Sequence, residues 1–292
     1  MAEYRDVYYS SADGLRLYAR DYPCRDSNIV EPEVVLCMHG LTRNSADFAG
    51  LAAHLSRRFR VVSVDNRGRG LSQYDSNVAN YTPATYVQDM FTLLDELAID
   101  QVILCGTSMG GLMSFIMTAM QPGRVRGMII NDICPEIDPA GLERIKGYVG
   151  RSGPVASWEE AIAQARAINE IAFPDFSDEE WEEFTRGLFK EVDGKPVLAY
   201  DPAISQPMND DDSSAVPPDL WPLFDAIAAT PMLVIRGETS DILAPASVAR
   251  MRERKPDLQF VEIANRGHAP TLNEPAARGA IDSFLADIQN MP

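Results

Sequence analysis

Gly106-Thr107-Ser108-Met109-Gly110 sets a serine between small residues, after one apolar run, Val102-Ile103-Leu104-Cys105, and ahead of another, Leu112 to Met120. The first run reads as a buried strand and the second as a helix that stops at Gln121-Pro122-Gly123. A strand-to-helix reversal over so few residues forces the serine into a strained backbone conformation and lifts its hydroxyl above the sheet edge, where it can act as a nucleophile. The helix that starts there aims free amides and the positive end of its dipole at any anion forming beside the serine.

A serine hydroxyl attacks a carbonyl usefully only when a base takes its proton, and histidine is the side chain whose ordinary pKa suits that near neutrality. The chain has three: His39, His54 and His268. After an elbow of this kind the acid and then the histidine follow in chain order. Only His268 follows Ser108, in Asn265-Arg266-Gly267-His268, just past the apolar run Gln259 to Ile263. The imidazole needs a carboxylate to hold its tautomer and stabilise the imidazolium. Asp241 is the expected partner, in Gly237-Glu238-Thr239-Ser240-Asp241 directly after the run Met232 to Ile235. Asp132, beyond the run ending at Ile130, is its rival because it falls at the same sheet edge; Glu238 is weaker, being close to its own strand.

The oxyanion formed on attack needs two donors. One is the amide after the nucleophile, on Met109, and the other is expected on Leu41, in His39-Gly40-Leu41-Thr42, where Gly40 frees the backbone to turn. His39 then has a structural hydrogen-bonding role, and His54, within Leu51 to Leu55, is an ordinary helix residue. Asp65-Asn66-Arg67-Gly68-Arg69-Gly70-Leu71-Ser72 resembles a phosphate-binding glycine loop only superficially. It lacks the third glycine and the acidic residue that would hold a ribose, so it is expected to be a shaped turn with its arginines in local ion pairs.

These residues need a scaffold that brings distant loops to one edge. Tyr4 to Ser10 and Leu15 to Tyr22 flank Ala12-Asp13-Gly14, an antiparallel hairpin signal. From there the short apolar runs Val34 to Met38, Arg60 to Asp65, Gln101 to Cys105, Val125 to Ile130, Met232 to Arg236 and Gln259 to Ile263 are mostly separated by helical segments or insertions. Near-continuous apolar strands with crossovers imply an α/β fold, a mostly parallel sheet covered on both faces. Residues 1–133 and 222–292 are expected to form its two parts, with 134–221 inserted as a helical cap over the sheet's carboxyl edge. Within the cap, Ser157-Trp158-Glu159-Glu160 and Ser177-Asp178-Glu179-Glu180 each match a capping box, and Asp193-Gly194 marks a small hairpin. The polar, Pro-rich segment Pro207 to Pro222 is expected to end it. Of its aromatics Trp158, Phe173, Phe176, Trp181 and Phe184, most are expected to pack the cap on itself and about a third to face a substrate, with Trp158 and Phe173 the named candidates.

Composition narrows the function classes. At 292 residues and 46% hydrophobic content, the chain can bury a large core, and its 43 acidic against 26 basic residues, a net charge of −17, would repel nucleic acid or an anionic membrane. Strongly anionic substrates would need local help from arginines such as Arg43 or Arg67. No signal peptide pattern and no apolar run of about 20 residues is present, so a soluble, cytoplasmic chain acting on a small molecule is expected. Cys24, Cys37, Cys105 and Cys134 are read as reduced and structural, and no metal-ligand spacing occurs.

Taken together, His39-Gly40, the Asp65 to Ser72 turn, Gly106-Thr107-Ser108-Met109-Gly110-Gly111, Ser240-Asp241 and Gly267-His268 closely resemble the α/β-hydrolase superfamily over nearly the whole chain. Within it, the chain looks most like capped, cofactor-free esterases and lactonases of the 3-oxoadipate enol-lactonase and carboxylesterase type. The resemblance implies an eight-stranded sheet with the second strand antiparallel, a helical lid, and Ser108, Asp241 and His268 as catalytic triad. It implies hydrolysis of small carboxylic esters or lactones through an acyl-enzyme. Carbon–carbon bond hydrolases of ring-cleavage pathways share the serine triad and lid and are the alternative, beside ligand-binding members of the fold that turn over slowly.

Overall fold

Among the described residues ten strands and ten α-helices occur, alternating from the third strand onward except in the segment between the sixth and ninth strands. The structure, a computed structural model, describes residues 2–209 and 219–291. The strands are β1 (Arg5–Ser10), β2 (Arg16–Tyr22), β3 (Val34–Met38), β4 (Arg60–Asp65), β5 (Val102–Thr107), β6 (Val125–Asn131), β7 (Phe189–Val192), β8 (Lys195–Leu198), β9 (Met232–Gly237) and β10 (Gln259–Ile263). The helices are α1 (Ala49–Leu55), α2 (Pro83–Glu96), α3 (Met109–Met120), α4 (Pro139–Tyr148), α5 (Trp158–Asn169), α6 (Asp178–Leu188), α7 (Gln206–Asn209), α8 (Trp221–Ala226), α9 (Pro245–Arg254) and α10 (Pro275–Gln289).

Eight strands form one sheet in the order β1-β2-β4-β3-β5-β6-β9-β10. β2 runs antiparallel to both β1 and β4, and every other pairing is parallel. The expected hairpin closes β1 to β2 through Gly14, whose φ of +87° is open to glycine.

The central strands are buried on both faces because their alternate residues feed two separate cores. In β3, Leu36 and Met38 join the core under α2, α3 and α9, while Val35 and Cys37 join the core under α1 and α10. β5 divides in the same way, Val102 and Leu104 against Ile103 and Cys105. Each fully buried aliphatic side chain contributes about 1.5–3 kcal/mol of transfer free energy, so a run such as Val34–Met38 is stable only at the sheet's centre. Parallel order through the middle of the sheet puts the carboxyl ends of β3, β5, β6, β9 and β10 on one edge, where the loops carrying Leu41, Ser108, Asp132, Asp241 and His268 emerge.

Between β6 and β9 the chain leaves the sheet for α4 to α8 and the small hairpin β7–β8. Asp193 and Gly194 both take positive φ, as a two-residue hairpin turn demands. α6 buries Trp181, Thr185 and Leu188 on one face, and its start is a complete capping box: Glu180 N donates to Ser177 Oγ and Ser177 N to Glu180 Oε2. The Ser157 box is only half formed. Ser157 Oγ accepts from Glu160 N, but the Glu160 carboxylate accepts from Ala156 N, one residue further back than expected. Most of the Pro-rich segment expected to end the cap lies outside the described residues. No helix among the described residues is long and apolar enough to cross a membrane.

Candidate active site

Ser108 is the residue between β5 and α3, at φ 52° and ψ −114°, in the strained conformation expected of it. The flanking glycines are demanded by contact. A methyl on Gly106 would strike the Gly110 carbonyl, and one on Gly110 would strike the Met38 carbonyl at the end of β3. The turn is tied down from both sides: Ser108 N donates to Asn131 O at 2.9 Å, and the Ser108 carbonyl accepts from Gly111 N at 2.8 Å.

His268 stands on the loop after β10 with Nε2 at 2.8 Å from Ser108 Oγ. Its Nδ1 lies 2.8 Å from Asp132 Oδ2. A carboxylate only accepts, so Nδ1 carries the proton and Nε2 turns its lone pair to the serine hydroxyl. Two contacts bring the loops together. Asn131 Nδ2 donates to Pro270 O at 2.8 Å, and Gly237 approaches the Gly267 backbone so closely that a side chain would collide with it.

The carboxylate on His268 is therefore that of Asp132, and the expectation for Asp241 is corrected. Asp132 follows β6 with φ at +58°, which swings its side chain toward the histidine, and it is fully buried. Oδ1 accepts from Gly237 N at 2.9 Å and Oδ2 from Ser240 Oγ at 2.6 Å, so the loop after β9 holds the acid in place. Asp241, one residue beyond Ser240, turns away and accepts from Arg144 Nε and Nη2 of α4 at 2.5 and 2.9 Å. Burial acts to raise its pKa, but the Arg144 hydrogen bonds and charge, with a smaller contribution from His268, hold it below the usual carboxylate range.

Among the described residues, neither the Met109 nor the Leu41 amide meets a protein acceptor. The Gly40–Leu41 peptide is oriented by its carbonyl, which accepts from His39 Nδ1 at 2.6 Å and Arg43 N at 3.1 Å. In a trans peptide the N–H points the opposite way. His39 does this as a neutral ring: Asn66 N donates to its Nε2, and burial pushes its pKa down to about 3. The Leu41 carbonyl is held in turn by Arg69 Nε at 2.9 Å. Gly40 itself needs no special conformation, since a Cβ there would rest in ordinary contact with Ser108 and Arg43, both at 3.7 Å.

The arginines of the Asp65 to Ser72 turn differ from expectation in part. Arg67 is buried in ion pairs as expected, one with the nearby Asp75 and others with the more distant Asp13 and Asp89, and so is closed to any substrate. Arg69 meets no carboxylate among the described residues; it donates to the Leu41 and Arg67 carbonyls and the Tyr86 hydroxyl. It is the residue sequence reasoning missed, along with Ser240, because neither role is visible until the loops meet.

A cavity of about 630 Å³ opens over Ser108 and His268, roofed by the cap. Phe173, Phe176, Phe184 and Tyr148 line it with Arg43, and Phe173 stacks on Phe176 at 4.4 Å between ring centres. Trp158 does not line the cavity. It lies under the Arg186 guanidinium with Nε1 toward Glu191, on the outer part of the cap, so its expected place against a substrate is corrected. His54 is a helix residue paired with Asp282. The cysteines are free thiols; burial pushes Cys134 up to about 11 and Cys37 well above its usual range.

Residues 33–275 match the family described as the alpha/beta hydrolase fold. The chain is 36% identical over 261 residues to a 3-hydroxybutyrate-oligomer hydrolase of Cupriavidus necator, covering 87% of this chain and 88% of that protein. It is 30% identical over 237 residues to a 2-(acetamidomethylene)succinate hydrolase of Mesorhizobium japonicum, 80% and 81% of the respective lengths. The crystal structure of an alpha/beta hydrolase from Novosphingobium aromaticivorans is similar at a TM-score of 0.91 and 38% identity, over 98% of this chain and 99% of that one.

Proposed function

The chain belongs to the alpha/beta hydrolase family, and from that premise we propose that it is a serine hydrolase cleaving small carboxylic esters or lactones through an acyl-enzyme on Ser108. Ser108 Oγ attacks the carbonyl carbon as His268 Nε2 takes its proton, and Asp132 stabilises the imidazolium. The Met109 and Leu41 amides receive the oxyanion, each such donor being worth about 3 kcal/mol in the transition state. His268 then returns the proton to the leaving oxygen, and water repeats the sequence to free the acid and regenerate the serine. The unbroken relay from Ser108 Oγ through His268 to Asp132, 2.8 Å at both links, carries this assignment.

An ester preference is supported by the relative that acts on 3-hydroxybutyrate oligomers, which are linear esters of a small hydroxy acid. Ser108→Ala should abolish turnover of a chromogenic short-chain ester and labelling by a fluorophosphonate while leaving the melting temperature unchanged. Undiminished turnover in that variant would remove the serine mechanism. The second relative acts on a succinate that carries an amide and no ester, so the two relatives do not share an ester bond, and carbon–carbon bond hydrolysis is kept as the alternative. A substrate panel of esters, lactones and a ring-cleavage diketone decides between them: preference for the diketone promotes the alternative. Labelling by the fluorophosphonate without turnover of any substrate would point to a ligand-binding member of the fold.

A further inference from the structure

Ser108 borders two cavities that differ in size and in the charged groups on their walls. On one side is the large cavity, which includes His268 and Arg43; on the other is a pocket of about 70 Å³ whose walls include Met109, Leu112, Ile133, Ile137 and Leu142. Leu41, Ser108 and Ile145 border both. The small pocket's polar wall groups are already engaged. Tyr81 Oη donates to Asp201 and accepts from Asp75 N, and Tyr86 Oη accepts from Arg69 Nη1.

We propose that the acyl chain of the substrate, short and apolar, enters the small pocket, and that the leaving alcohol, carrying a carboxylate, lies in the large cavity against Arg43. The inference rests on the serine-hydrolase reading and goes beyond it in naming the substrate class. When Oγ bonds the carbonyl carbon and the bond to the leaving oxygen breaks, the proton on His268 Nε2 must reach that oxygen. His268 faces only the large cavity, so the leaving group is on that side and the remaining substituent of the carbonyl is driven to the other. The small pocket holds little more than twice the roughly 30 Å³ that a liquid water occupies, enough for a chain of a few carbons.

Arg43 begins beside the nucleophile: its Cγ and Ser108 Cβ are each 3.7 Å from the position a Gly40 Cβ would take. Its Nε and Nη2 are held by Asp47 at 2.7 and 2.6 Å and its guanidinium lies 4.2 Å over the Phe184 ring, leaving Nη1 without a partner among the described residues. A guanidinium so fixed presents a preorganised donor to a carboxylate in the cavity.

Two ratios of kcat/KM test this. Across 4-nitrophenyl esters, turnover should fall at least tenfold from butyryl to octanoyl. Leu142→Ala, or Ile137→Ala as a second enlarging variant, should raise the octanoyl to butyryl ratio at least tenfold. For the leaving side, the wild type should prefer 3-butyryloxybutyrate to its neutral methylamide, and Arg43→Met should reduce that preference at least tenfold. Melting curves and fluorophosphonate labelling establish that each variant is folded. The proposal is overturned if octanoyl esters are preferred, if Phe184→Ala rather than Leu142→Ala sets the acyl length, or if Arg43→Met leaves the carboxylate preference intact. Those results, with Ser108 labelled and esters cleaved, leave the serine-hydrolase reading standing; absence of both labelling and ester turnover removes the two together.

Discussion

Asp132→Asn and Asp241→Asn differ by one atom from the same starting side chain, yet the geometry assigns them opposite consequences. Asp132 is fully buried and accepts from Gly237 N, Ser240 Oγ and His268 Nδ1. An asparagine keeping its carbonyl oxygen on Gly237 N turns its NH₂ group toward the histidine, which then holds its proton on Nε2 and cannot take one from Ser108. Loss of the correct tautomer in a triad costs about 10⁴ in kcat, equivalent to roughly 5 kcal/mol of transition-state stabilisation. Asp241 loses only its pair with Arg144, where the two side chains are 38% and 30% exposed, and pairs at that exposure are worth about 1 kcal/mol or less. Its variant should keep kcat within about threefold. The assay is kcat and KM on a short 4-nitrophenyl ester, with thermal melting to show both variants folded. A large loss in Asp241→Asn with Asp132→Asn near wild type would refute the assignment of the acid.

Ser240→Ala removes the hydroxyl that donates to Asp132 Oδ2 at 2.6 Å; it should lower kcat roughly tenfold, about 1–2 kcal/mol, with KM little changed, and an unchanged kcat would deny Ser240 a positioning role. Gly110→Ala drives a methyl into the Met38 carbonyl and should lower Tm by roughly 5 °C while weakening fluorophosphonate labelling of Ser108; a Tm matching wild type would show that the elbow has room. His39 is neutral in the fold, its pKa moved from 6.5 to about 3 by burial, so the unfolded chain binds the proton first as pH falls. Its contribution is fully present above pH 6.5 and is lost toward pH 3, roughly 3 kcal/mol between pH 7 and 4. Urea unfolding across that range should show a steeper acid decline in wild type than in His39→Gln, and parallel curves would contradict the burial argument.

The strands and the elbow were legible because their signals are local. A run such as Val34–Met38 is apolar at every position only if both faces are covered, and that demand is written in consecutive residues. Gly106 was legible for the same reason, since its collision is with Gly110 inside the turn; Gly110 was legible only from the pentad pattern, because the atom that excludes a side chain there is the Met38 carbonyl on β3. The cap was less so. Ser157 and Ser177 carry the same four-residue pattern, yet only one glutamate closes its box, because the other finds Ala156 N within reach. Trp158 and Phe173 are equally aromatic, and which of them meets the cavity depends on how α5 and the segment after it settle on the sheet.

From the sequence alone Ser108 and His268 stood out as candidate nucleophile and base, by the pentad and by chain order, and the sheet edge on which they meet was set by hydrophobic alternation acting between near neighbours. The acid was another matter. β6 and β9 are adjacent parallel strands, so Asp132 and Asp241 leave the same edge and are equivalent by order and spacing. Tertiary structure chose between them through a positive φ at Asp132, a Ser240 hydroxyl that secures it, and an arginine from the cap that draws Asp241 aside. Side-chain direction and competition for a partner are settled only when the loops are together, and nothing in the one-dimensional pattern encodes them.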